Sequence, residues 1–113
     1  MGIEYVQRAY THYTRLPKRR VSGIVLHHTA GSQSIDTYAS EGSWHWMVGK
    51  LLLYRDVPES FVAWHDAATD RWRPAWVPVG AGQGKVSDVN AVSVGIEITY
   101  APQNGELPNA VQY

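Results

Sequence analysis

Nothing in the sequence limits the fold more than the alternation in Ala91-Val92-Ser93-Val94-Gly95-Ile96-Glu97-Ile98-Thr99-Tyr100. Successive side chains of a strand point to opposite faces, so Val92, Val94, Ile96 and Ile98 share one face and Ser93, Gly95, Glu97 and Thr99 the other. A second run, Gly23-Ile24-Val25-Leu26, leads directly into His27 and His28 and is ended by Thr29-Ala30-Gly31. Its length and apolar content predict a buried strand whose C-terminal end opens into a loop. Strand ends of this kind commonly carry catalytic and ligand groups, because the strand is rigid and the loop leaves room for substrate.

Other segments fill in around these two. Residues 43–49 read as a strand with both faces buried, and residues 51–54 as its partner after a tight turn at Gly49-Lys50. A short helix is predicted over residues 34–40, with Ser32 or Ser34 as its N-cap and Gly42 ending it. Residues 3–14 read as an extended arm or edge strand. The basic turn Pro17-Lys18-Arg19-Arg20 reads as a solvated loop, with a weak contact to an anionic polymer as the functional alternative. Phe61-Val62-Ala63-Trp64-His65 is a short apolar segment. Residues 66–90, broken by Pro74, Pro78, Gly80, Gly82 and Gly84, read as an irregular rim or lid over a cleft. Pro108 starts a helix whose first turn is residues 109–113. One turn is barely nucleated, and so apolar a sheet needs cover, so a C-terminal helix and more are expected to be missing. The expectation is a single, incomplete domain over residues 1–113.

Composition narrows the function classes. The 113 residues carry no net charge with five His neutral, which gives no support to wholesale nucleic-acid binding. Without cysteine there are neither disulfides nor thiolate metal ligands, and a thiol nucleophile is excluded. No stretch approaches the ~20 apolar residues of a membrane span, and the N-terminus lacks a signal-peptide layout. The expected site of synthesis is therefore the cytoplasm, with any action outside it needing another route. Five Trp and seven Tyr stand against one Phe. Most belong in a core by ordinary burial tendencies, but their apolar faces and polar tips also suit a sugar-lined cleft.

Among the chemistry-bearing residues, His27 and Glu97 stand out, each toward the end of a core strand. A buried strand carboxylate is costly unless used, and Gly95 beside it leaves space; Glu97 there would suit a general base near a metal-bound water, or else be an ordinary solvent-facing residue. His27 and His28 are adjacent on a strand and cannot easily serve one metal, so one of them is structural. His45, between two Trp residues, reads as a packed, hydrogen-bonded histidine. His65 is placed to touch substrate or orient an oxyanion.

Four blocks carry a resemblance: Ile24-Val25-Leu26-His27-His28-Thr29-Ala30, Trp44-His45-Trp46-Met47-Val48, Ala63-Trp64-His65-Asp66-Ala67 and Asn90-Ala91-Val92-Ser93-Val94-Gly95-Ile96-Glu97-Ile98. In order and rough spacing the chain resembles the zinc-dependent N-acetylmuramoyl-L-alanine amidases shared by phage endolysins and peptidoglycan recognition proteins. The resemblance implies an α/β fold with a central mixed sheet flanked by helices, lacking its C-terminal helix and tail here. It implies hydrolysis of the amide joining N-acetylmuramic acid to L-alanine of the stem peptide, with bacterial peptidoglycan as partner and a phage or prophage lysin as the setting. It assigns His27 as a Zn2+ ligand and Glu97 as the catalytic acid/base, with His65, Trp44 and Trp64 at the substrate. Trp44 stands where several members carry Tyr, and cannot supply a phenolic hydroxyl. The remaining zinc ligands are expected beyond Tyr113.

Two rival readings remain. A non-catalytic peptidoglycan-binding module would grip the muropeptide through its aromatic rim, but would have no need of Glu97. An unrelated α/β hydrolase or structural domain finds no Gly-x-Ser-x-Gly elbow in the sequence.

Overall fold

The computed structural model describes residues 4–9, 11–28, 42–49, 52–66 and 73–99. Its main sheet has five strands: β1 (Val6–Gln7), β3 (Gly23–His28), β4 (Trp46–Val48), β5 (Leu53–Arg55) and β7 (Ser93–Ile98). Their spatial order is β1-β5-β4-β7-β3. The β4–β5 pair is antiparallel, while β1–β5, β4–β7 and β3–β7 are parallel, so the sheet is mixed as expected. A second, two-stranded antiparallel sheet joins β2 (Tyr13–Thr14) to β6 (Val62–Ala63). The helices predicted over residues 34–40 and from Pro108 lie outside the described residues.

Local chemistry explains the joints. The Gly49 N–H donates to the Leu52 carbonyl at 2.9 Å and closes the β4–β5 turn. At the far edge Arg8 grips both carboxylate oxygens of Asp56, at 2.6 and 2.5 Å, and so ties the β1 arm to the end of β5. A bidentate guanidinium–carboxylate pair fixes geometry as well as supplying energy.

Several expectations need correction. The strand predicted to be buried, β3, alternates between half-buried and exposed residues, with Ile24 61% and Leu26 64% exposed. Val25, on the face of His27, packs against the core, while Ile24 and Leu26 share the other face, so an apolar run alone did not imply cover on both. The last strand begins at Ser93, not Ala91, because residues 88–92 form a helix, α1 (Asp88–Val92). Ser87 caps it, its Oγ accepting from the Asn90 N–H at 3.1 Å. Asp88 accepts from the N–H groups of Gly80 and Gly82 at 2.9 and 2.8 Å, which together hold its carboxyl below the usual carboxylate range. The segment read as a rim or lid over residues 66–90 is exposed at about half of its described positions, but it also supplies core. Val77 and Val89 join Leu16, Val62, Ala91 and Val92 in the buried cluster, with Val25, Ala81 and Val86 packed against it.

The basic turn is likewise built in. Arg19 is half-buried and donates to the carbonyls of Glu59, Asn90, Ala91 and Ser93 at 2.7–3.1 Å. A cation at a helix C-terminus satisfies carbonyls that have no partner within the helix. Arg19 therefore clamps α1 and the start of β7 onto the β5–β6 connection. Burial lowers its pKa, with Glu59 acting in the opposite sense.

Candidate active site

The parallel pairing of β3 with β7 sets Gly23 beside Ser93, Val25 beside Gly95 and His27 beside Glu97. Residues paired in register share a face of the sheet, so His27 and Glu97 lie on one side, with Met47 of β4 in register on the far flank of Glu97. His28 falls on the opposite side, as expected from strand geometry.

His65, just past β6, is laid over the bare backbone of Gly95. A Cβ at that glycine would come within 2.3 Å of the His65 ring. The ring is held at both nitrogens: Nδ1 is 3.1 Å from His27 Nε2 and Nε2 is 3.0 Å from Ser93 Oγ. Behind it, the Asn90 side chain makes two 3.0 Å bonds to the Asp66 backbone, accepting from its N–H and donating to its carbonyl. The residue after His65 is thus pinned to α1. Asp66 also faces His27 electrostatically: burial raises its carboxyl, and the imidazole pulls it back.

Desolvation dominates the electrostatics of this face. It pushes Glu97 up from 4.5 to about 7. It lowers His27, with Asp66 opposing and His28 adding to the effect. It drives His65 down to about 3, helped by His27, His45 and Arg19. Charged forms lose water on burial, so carboxyls rise and imidazoles fall. Burial therefore favours the uncharged form of both imidazoles and the protonated form of the Glu97 carboxyl.

His45 is fully buried and structural. Its Nδ1 accepts from the Gly95 N–H at 3.0 Å, so the ring proton is on Nε2, which donates to the Phe61 carbonyl at 2.8 Å. Burial, together with nearby Arg19, keeps it at about 4 against the opposing pull of the Phe61 bond. The two tryptophans expected at the substrate are not gathered with His27 and Glu97 by any described bond. Trp44 is 5% exposed, and its Nε1 has no partner among the described residues. Trp64 is 41% exposed, but its Nε1 donates to Thr14 at 3.0 Å and its ring abuts His12, on the β2 side.

Sequence reasoning missed Ser93, Asn90 and Asp66 as parts of this site. Ser93 carried a signal, since it shares the strand face of Glu97; the Asn90–Asp66 clamp links positions 24 apart and left none. Among the described residues no group of three or more His, Cys, Asp or Glu side chains is arranged to hold a metal ion. A tetrahedral zinc site needs three protein ligands besides water, so the described residues do not by themselves make one. Among them, too, no helix is long and apolar enough to cross a membrane.

This arrangement has relatives. A family model described as N-acetylmuramoyl-L-alanine amidase matches residues 17–113. Among solved structures, a mutant endolysin from Bacillus subtilis superposes with a TM-score of 0.53 at 23% sequence identity. That match covers 89% of this chain and 64% of the endolysin, and at such identity the likeness is one of fold. No curated protein is similar enough to count as a match. The family match runs through β3, β4, β6 and β7, the strands that bear or flank His27, His65 and Glu97, and on its extent the chain belongs to the N-acetylmuramoyl-L-alanine amidase family.

Proposed function

We propose that the chain is the amidase domain of a peptidoglycan hydrolase, cutting the amide between the lactyl group of N-acetylmuramic acid and L-alanine of the stem peptide. The observation that carries this reading is the pairing of His27 with Glu97 on one face of the sheet, under a His65 ring seated on Gly95. A carboxyl near 7 is matched to proton exchange at neutral pH. Glu97 takes the proton of the attacking water and returns it to the leaving amine of alanine. Trp64 keeps part of its indole exposed, as stacking on a sugar ring requires, whereas Trp44 is buried, its Nε1 included, and presents nothing to a substrate. The family is generally zinc-dependent. His27 is the described residue that would serve such a cation, and the other ligands would come from outside the described residues. In the organism the substrate is the bacterial cell wall, and the activity is lytic in the manner of an endolysin.

The test is release of alanine amino termini from purified peptidoglycan, in zinc-containing buffer, by the parent chain and by Glu97→Gln. Loss of general acid–base catalysis should slow release by about 10²–10⁴-fold. Equal rates would remove Glu97 from the chemistry. Firm binding to cell walls by a parent chain that releases nothing would favour a binding module instead.

A further inference from the structure

The hydrogen bonds behind His27 have one consistent direction, and it can be worked out from the far end. Ser93 Oγ lies 2.6 Å from the Val89 carbonyl, which only accepts, so the single hydroxyl proton of Ser93 is committed there. Towards His65 Nε2 the same oxygen must therefore accept, and the His65 proton is on Nε2. A neutral imidazole has one N–H, so His65 Nδ1 is bare and accepts from His27 Nε2–H. The direction of all three bonds follows from one backbone carbonyl at the first turn of α1. Both nitrogens of His65 are spent in this chain, which leaves it no donor for a substrate oxygen.

We propose that Ser93 and His65 are positioning residues that lock His27 into its Nε2–H tautomer, leaving Nδ1 as the one ring atom of His27 able to accept a proton or a cation. Three further features hold the relay in place. Gly95 gives the His65 ring its seat, and any side chain there would meet the ring. Asn90 pins the backbone of Asp66. Ser93 is fully buried, so water does not compete for its hydroxyl. The usefulness of a fixed tautomer at His27 rests on the amidase reading; the tautomer itself does not. Partners that orient a reactive histidine in this way are typically worth about 10- to 100-fold in affinity or activity.

Long-range proton–nitrogen spectra of histidine-labelled chain at pH 7.5, in chelator, read the ring tautomers directly and independently of catalysis. His27 and His65 should each show a single Nε2–H form. Ser93→Ala should let both rings populate mixed tautomers, with His45 unchanged as an internal control. Amidase kcat in zinc buffer should fall about 10-fold or more at nearly constant KM. Ser93→Thr, which keeps the hydroxyl, should restore the single form. An Nδ1–H His27 in the parent chain overturns the proposal whatever the variants do, as does a His27 tautomer indifferent to Ser93→Ala. A parent chain with the expected tautomers but no amidase activity would count against the function and leave the relay standing.

Discussion

A methyl group is the smallest change Gly95 can be asked to accept, and it does not fit. The added carbon would sit 2.3 Å from the His65 ring, which is bonded on both sides and cannot swing clear without losing His27 or Ser93. Gly95→Ala is expected to cost about 1–3 kcal/mol through overpacking, read from the denaturation midpoint, and to abolish the His27–His65 contact in ring spectra. A variant of parental stability with that contact intact would show that the ring has room to move. At this scale the sequence was half legible. Alternation placed Glu97 and Gly95 on one face and marked the space beside the carboxylate. It did not say which ring fills the space, because His65 arrives from a segment outside the main sheet.

At the scale of elements, α1 depends on Arg19 more than on its own five residues. So short a helix is poorly stable alone, and its open carbonyls are closed by a side chain from about seventy positions earlier. Arg19→Ala removes a charged donor from four carbonyls at once and should lower stability by about 3 kcal/mol, measured by urea unfolding. Arg20→Ala, at an exposed neighbour, should change little. If the two variants behave alike, Arg19 is not the clamp. The same helix shows why part of the fold was hidden. Val89 and Val92 favour strands, and five residues are too few to reveal a helical period; the Ser87-Asp88 cap was the available signal. Conversely, β7 and the antiparallel β4–β5 turn were readable because each carries its own alternation or turn glycine. The exposure of Ile24 and Leu26 was not, since what covers a strand's face is set by tertiary packing, which an apolar run does not record.

For the whole molecule, the site's burial sets how stability follows pH. The unfolded chain protonates its imidazoles near 6.5, whereas folded His45 and His65 wait until about 4 and 3, and His27 is also lowered. The folded state then binds fewer protons, so stability falls as pH drops from about 6.5 towards 4. Glu97 acts in the other sense: raised from 4.5 to about 7, it favours the folded state as pH falls through that window. Two strongly lowered rings outweigh one raised carboxyl, each uncompensated proton counting ~1.4 kcal/mol per pH unit. The metal-free chain should therefore lose Tm steadily from pH 6.5 to 4. Glu97→Gln, relieved of the opposing carboxyl, should fall more steeply and gain most over the parent above pH 7. Identical profiles for the two proteins would mean that Glu97 is solvated in the folded state. Finally, the outer position of β3 has a practical side. With Ile24 and Leu26 bared on one side of the outermost described strand, concentrated stocks should turn cloudy on storage as strands of separate molecules meet edge to edge. Leu26→Lys, on the side away from His27, should raise the concentration at which light scattering sets in and leave the histidine signals where they were.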